Sequence, residues 1–231
     1  MQGKRAQAVI FDLDGTLYHL KKARGVVKRR LIRHVLSHPW QWRDLTVIQA
    51  FRRDREVMAE QGVRGVGTLQ YRRTALALGR PQDEVRAVVT RWLHKEPLSV
   101  LAACKSPGVD ELWEALGKLG KRIAVVSDYP VTDKLAALGL KPEVAVSAED
   151  PEVGIFKPHP AGFLRAARLL GLDPALCLVI GDRPERDGAA ALAAGMDHLI
   201  YTAGSPAGAG QFASFYDLLS KMRERRPGNG L

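Results

Sequence analysis

Ala8-Val9-Ile10-Phe11-Asp12-Leu13-Asp14-Gly15-Thr16-Leu17 is the stretch on which the reading of the fold turns. It opens as a short apolar, β-branched run of the kind that forms a buried strand, and the run stops at a carboxylate. Two acids two residues apart, followed by a glycine that tolerates a tight backbone, can aim both side chains at one point. Taken alone, the same letters also describe a turn with two solvated aspartates.

Working outward, comparable apolar runs recur at residues 123–126, 144–146, 178–180 and 199–201. Helical spacing lies between most of them, at 109–119, 132–138, 160–170 and 188–194. Strands alternating with helices predict an α/β fold with a Rossmann-like, doubly wound parallel sheet, and strands this apolar suit a sheet covered on both faces. Residues 20–105 break the alternation. Amphipathic helices are predicted at 26–36, 42–60, 68–78 and 82–93, with no convincing strand. His38-Pro39 and Gly79-Arg80-Pro81 read as breaks, and Pro81 with Asp83 and Glu84 marks a helix start. The expected organisation is a core built from residues 1–19 and 106–231, with an all-helical cap domain, 20–105, inserted after the first strand. The charged, Gly- and Pro-rich tail from Arg223 to Leu231 is expected to fray.

Composition narrows the function classes. Of 231 residues, 46% are hydrophobic, enough for a packed core and against wholesale disorder. No apolar run approaches the roughly 18–20 residues that span a bilayer. The N-terminal apolar run is broken at Asp12, so it does not read as a signal peptide. A cytoplasmic location and no membrane partner are expected, with Cys104 and Cys177 reduced and mostly buried. The net charge of +10 is concentrated: residues 17–105 hold 19 Lys and Arg against 7 Asp and Glu, and the remainder 16 against 18. A basic segment attracts anions, either phosphorylated metabolites or nucleic acid. Lys28-Arg29-Arg30, Arg52-Arg53 and Arg72-Arg73 are basic clusters, and Trp40 and Trp42 lie between two of them. Aromatics among basic residues can stack bases; the same tryptophans also suit the core of a small helical domain.

In open parallel sheets, ligands bind beyond the carboxyl ends of the strands. Those ends carry Asp12, Ser127 and Asp182. Ser127, before Asp128, can donate a hydroxyl hydrogen bond to a phosphoryl oxygen or simply cap the next helix. Lys157, in Gly154-Ile155-Phe156-Lys157-Pro158, can hold a fixed positive charge or be solvated. Gly181-Asp182, followed by Asp187, brings a second pair of carboxylates, natural oxygen ligands for Mg²⁺.

Taken in order, these four elements resemble the four motifs of the haloacid dehalogenase superfamily. The resemblance covers residues of about 6–18 and 107–205, including Gly188–Gly195 after the fourth motif; the helical insert is similar to that family's helical caps in position more than in sequence. It implies Asp12 as a nucleophile that forms an aspartyl-phosphate, with Asp14 protonating the leaving oxygen and then deprotonating water, and so carrying a proton near neutral pH. It places Ser127, Asp128, Lys157 and Thr16 around the substrate phosphate, with Thr16 steadying the loop. A cation is implied on Asp12, Asp182 and the main-chain carbonyl of Asp14, with Asp187 bound directly or through water. Charge supports this. Three ionised aspartates and a phosphate monoester of about −2 face one lysine, and repulsion at a few Å amounts to several kcal/mol. A divalent cation such as Mg²⁺ relieves it. The implied function is a Mg²⁺-dependent phosphatase acting on a small phosphorylated metabolite, beneath a cap that opens and closes, with His19 at its hinge. A phosphomutase, a dehalogenase and a nucleic-acid-binding protein are the alternatives. Asp14 speaks against dehalogenation, since halide leaves without a proton.

Overall fold

The computed structural model describes residues 6–204 and 208–224. Six parallel strands form one sheet: β1 (Ala8–Asp12), β2 (Arg122–Ser127), β3 (Val144–Ser147), β4 (Cys177–Gly181), β5 (Asp197–Tyr201) and β6 (Gln211–Phe212), in the order β3-β2-β1-β4-β5-β6. Ten α-helices accompany them among the described residues. In the core these are α5 (Leu98–Cys104), α6 (Val109–Lys118), α7 (Thr132–Leu138), α8 (Ala161–Leu169), α9 (Ala189–Ala193) and α10 (Phe215–Glu224). The expected Rossmann-like, doubly wound sheet is therefore present. β6, α5 and α10 were not predicted; a two-residue strand carries no periodicity. The tail beyond Glu224, predicted to fray, lies outside the described residues.

Alternation along each strand distributes side chains to two apolar layers. Val9, Phe11, Ile123, Val125 and Ile180 face one cluster, with Leu101, Leu112, Leu116, Leu135 and Phe215 from the helices. Ala8, Ile10, Ala124, Val126, Cys177 and Val179 face the other, with Phe163, Ala166, Ala190 and Ala191. β1 is central, and the chain adds strands first on its β2 side and then on its β4 side. The crevice at this reversal, beyond the carboxyl ends of β1 and β4, is where such sheets bind ligands. Cys104 and Cys177 are free and buried, as expected.

The insert is helical throughout: α1 (Leu20–Ser37), a 3₁₀ turn (Pro39–Trp42), α2 (Arg43–Glu60), α3 (Val66–Leu78) and α4 (Gln82–Val89), which runs on into a π-helical turn (Thr90–Lys95). α1 begins at Leu20 rather than residue 26, because Ala23 in its first turn buries against the core cluster. These helices bury a cluster of their own, made by Val27, Leu31, Val47, Phe51, Tyr71, Val85, Val89 and Trp92. Trp40 and Trp42 do not belong to it. They are 69% and 53% exposed, so the expectation that they form the small domain's core is corrected: the 3₁₀ turn that Pro39 starts swings both indoles off the apolar stripe, and Trp92 fills the centre instead. The two chain segments that join insert and core run side by side, where Tyr18 bridges Lys105 in antiparallel fashion and His19 N–H donates to the Cys104 carbonyl at 2.8 Å. No helix among the described residues is long and apolar enough to cross a membrane.

His94, in the π-helical turn, has a buried Nε2 without a hydrogen-bond partner among the described residues. Burial first, then the positive charges of Lys134 and Arg55, push its pKa down to about 4. The imidazole is thus neutral in the fold, while the unfolded chain takes up a proton near pH 6.5. Its contribution to stability is full above pH 6.5 and declines as pH falls toward 4, by up to about 3 kcal/mol. Urea unfolding free energies measured from pH 7 to 4.5 should fall less steeply in His94→Phe than in the unsubstituted protein.

Candidate active site

β1 ends on Asp12, and Leu13 is drawn into the first apolar cluster. Asp12 and Asp14, on either side of that leucine, line a cavity of about 240 Å³ beyond the strand ends. Gly15 then turns the chain at φ +112°, and a Cβ there would overlap the Asp182 carboxylate, so both conformation and space demand glycine. Gly181 is needed for a similar reason: its missing Cβ leaves room for the side chain of Asp187.

One carboxylate oxygen from each of Asp12, Asp182 and Asp187 lies within 4.8 Å of the others. Lys157 enters from the loop before α8, with Nζ 2.5 Å from Asp12 Oδ1 and 2.5 Å from Asp187 Oδ1. Thr16 Oγ1 donates to Asp12 Oδ2 at 3.0 Å, and the main-chain N–H groups of Asp182 and Arg183 donate to Asp187 Oδ2 at 3.3 and 3.0 Å. Burial pushes the Asp12 carboxyl well above the usual carboxylate range; Lys157 offsets part of the shift, and Asp187, Asp182 and Asp14 add to it. Asp182 is pushed up to about 6, by burial and then by Asp187. The triad and Lys157 together carry −2 when ionised, which is what a divalent cation neutralises. Three carboxylates, with no nitrogen or sulfur, form a donor set that fits a hard cation.

Asp14 lies outside this cluster. Lys134 Nζ donates to its Oδ1 at 2.5 Å and Ser127 Oγ to its Oδ2 at 2.8 Å, and the Tyr18 hydroxyl also donates to Oδ1. Burial would raise its pKa, but Lys134 together with the hydrogen bonds from Tyr18 and Ser127 outweighs burial and holds the carboxyl at about 2. The expectation that Asp14 carries a proton near neutral pH is therefore corrected for this arrangement: the neighbouring ammonium keeps it ionised.

The other predicted residues fall around the same point. Ser127 and Lys157 line the cavity, and so does Asp128, whose Oδ1 accepts from the Lys157 main-chain N–H at 3.1 Å. Thr16 is different. It is 0% exposed and its hydroxyl is turned to Asp12, so its placement suits steadying the carboxylate and not touching substrate. Ser106, after the insert, supports the same loop by donating to the Thr16 carbonyl at 2.9 Å.

Four residues at this site escaped the sequence reading. Lys134 shares a helix face with the buried Leu138, one turn on. Arg55 stands within the buried stripe Phe51, Arg55, Met58, Ala59 of α2. A cation on an apolar face was the available signal in both cases. Arg55 Nη2 pairs with Glu149 Oε1 at 2.9 Å, Nη1 donates to the Asp128 carbonyl, and the guanidinium lies 3.6 Å from the Tyr129 ring centroid. Arg186 donates to the Lys157 carbonyl at 2.6 Å and pairs through Nη2 with Glu56 of α2 at 2.5 Å. Nothing in the local pattern distinguished Arg186 or Glu56.

Comparison with known proteins agrees with this geometry. The chain is 32% identical over 201 residues to the glyceraldehyde 3-phosphate phosphatase of Methanopyrus kandleri, covering 82% of this chain and 81% of that protein. It is 30% identical over 187 residues to hexitol phosphatase A of Escherichia coli, covering 78% and 76%. Among solved structures, a 2-haloacid dehalogenase from Pseudomonas syringae shares the fold with a TM-score of 0.67, at 23% identity, covering 96% of this chain and all of that one. The family model for haloacid dehalogenase-like hydrolases matches residues 6–195, and the chain belongs to that family of hydrolases.

Proposed function

We propose that this protein is a Mg²⁺-dependent phosphatase that hydrolyses small phosphate monoesters through an aspartyl-phosphate on Asp12. The observation that carries the reading is the convergence of Asp12, Asp182, Asp187 and Lys157 at the end of β1, in a cavity reached also by Asp14 and Ser127. The named phosphatases among its relatives support it.

Asp12, Asp182 and Asp187, with the main-chain carbonyl of Asp14, would hold Mg²⁺, which supplies charge neutralisation and polarises the phosphoryl group. Asp12 Oδ1 is the attacking atom, and Thr16 keeps the other oxygen turned away. Lys157 and Ser127 orient and stabilise the phosphoryl oxygens. Asp14 Oδ2 receives the proton of the water that cleaves the intermediate, and the Asp14–Lys134 pair holds the proton that the leaving oxygen needs. The insert, from α1 to the π-helical turn, acts as a cap that opens near the paired segments around Tyr18 and Lys105 and closes through Arg55–Glu149 and Glu56–Arg186 to exclude water. The dehalogenase reading has less support here, since the buried carboxylates Asp182 and Asp187 would be costly without a cation. The free thiols suit a reducing compartment, the cytoplasm.

The test is phosphate release from p-nitrophenyl phosphate. EDTA should abolish turnover and Mg²⁺ in excess should restore it, while raising the unfolding temperature of the EDTA-treated protein. Turnover indifferent to EDTA would refute the metal-assisted reading.

A further inference from the structure

A second, smaller cavity adjoins the reaction cavity. Both are lined by Asp14, Leu20, Arg24 and Tyr129, and the smaller one extends beneath the helices of the insert to Arg52 and Trp92. Its volume is about 40 Å³. Four ionic groups line it: Asp14, Lys134, Arg24 and Arg52. Asp14 and Lys134 neutralise each other at 2.5 Å. The nearby Arg55 is matched by Glu149. Arg24 and Arg52 have no such match: among the described residues neither makes an ion pair or a hydrogen bond, and Arg52 Nε is buried without a partner. Burial disfavours the charged form of Arg52, and the charge of Arg24 acts in the same direction. Arg24 is exposed and Arg52 half-buried, and the two guanidinium groups line one space with no protein counterion among the described residues.

Resting on the phosphatase reading, we infer that Arg24 and Arg52 form an anion subsite for a carboxylate on the alcohol portion of the substrate, so that the protein selects short phosphorylated carboxylic acids over uncharged polyol phosphates. Two forks of N–H donors match the planar, bidentate geometry of a carboxylate. A hydroxyl can accept one of those hydrogen bonds but leaves both charges in place. The size of the cavity admits a terminal carboxylate and excludes a sugar ring or a base. Val27, Trp92 and Leu93 line it with apolar surface. Arg24, which lines both cavities, lies on the path between those ends.

The experiment measures binding without turnover. Isothermal titration calorimetry on Asp12→Asn with Mg²⁺ present would compare 2-phosphoglycolate with 2-hydroxyethyl phosphate, two ligands alike in length that differ in the carboxylate. The acid should bind at least tenfold more tightly than the alcohol. Adding Arg52→Gln should weaken the acid at least tenfold and the alcohol less than twofold. Arg53→Gln, the same change of charge at an exposed neighbour, should alter neither. Equal binding of the two ligands, equal weakening of both by Arg52→Gln, no weakening of either, or no binding of either would overturn the subsite. Turnover of p-nitrophenyl phosphate by the unsubstituted protein is scored separately. Its absence alongside a persisting acid preference would count against the phosphatase reading and for the anion site.

Discussion

Asp12→Asn is expected to lower kcat for p-nitrophenyl phosphate by at least about 10⁴-fold, because the amide can neither attack phosphorus nor form the acyl phosphate. The fold should survive. Asn is the shape of the protonated aspartate, and in the fold Asp12 is pushed toward that protonated form by burial and by the acids around it. Lys157 also keeps its second partner, Asp187. In EDTA, therefore, the variant should unfold at a temperature equal to or above that of the unsubstituted protein, since one of three crowded negative charges has gone. Adding Mg²⁺ should stabilise it less, because a ligand has gone with the charge. The two measurements together separate chemistry from folding. Retained turnover would contradict the nucleophile assignment, and a large loss of stability in EDTA would contradict the electrostatic account.

Lys157→Met should have the opposite signature. Lys157 is buried, and among the described residues its ammonium is the one cation paired with Asp12 and Asp187. Those carboxylates hold its pKa well above the usual lysine value, although burial alone would lower it. Removing one partner from a buried charge cluster costs about 3–5 kcal/mol, because the charges left behind are uncompensated. In EDTA the variant should lose stability on that scale in urea titrations. Mg²⁺ should recover much of the loss, making its stability far more metal-dependent than that of the unsubstituted protein. Turnover should fall by about 10²–10³-fold even at saturating Mg²⁺, as expected when a fixed cation beside a transferring phosphoryl group is lost. A stability loss that Mg²⁺ does not reduce would mean that the cation is held elsewhere.

The difference between these two residues bears on what the linear chain made visible. Asp12 was legible because a β-branched run ends abruptly in an acid, and Gly15 next to it signalled a tight backbone. Lys157 was legible only as a lysine in a loop before proline, and its significance came from the resemblance of the whole set of motifs. Lys134 and Arg55 were missed although each lies on an apolar helix face, since a helix pattern tolerates a long cation whose head reaches water. Here the heads meet Asp14 and Glu149 instead. Trp40 and Trp42 went the other way: their position beside a helical stripe suggested a core, and the 3₁₀ turn at Pro39 exposed them.

The alternation of the first five strands with the helices between them, the helical nature of the insert, and the identity of the acids at the strand ends were legible in the sequence. Each depends on periodicity or on residues within a few positions of one another, where local geometry is set by pleat, helix pitch and glycine. Tertiary structure alone decided the charge states and partners. That Lys134 would meet Asp14 across 120 positions, that Arg186 would be gripped by Glu56, and that Arg24 and Arg52 would find no counterion among the described residues depend on how α1, α2 and α7 converge over the sheet. Electrostatic interaction falls with distance in space and is strengthened by burial, and neither quantity is written along the chain.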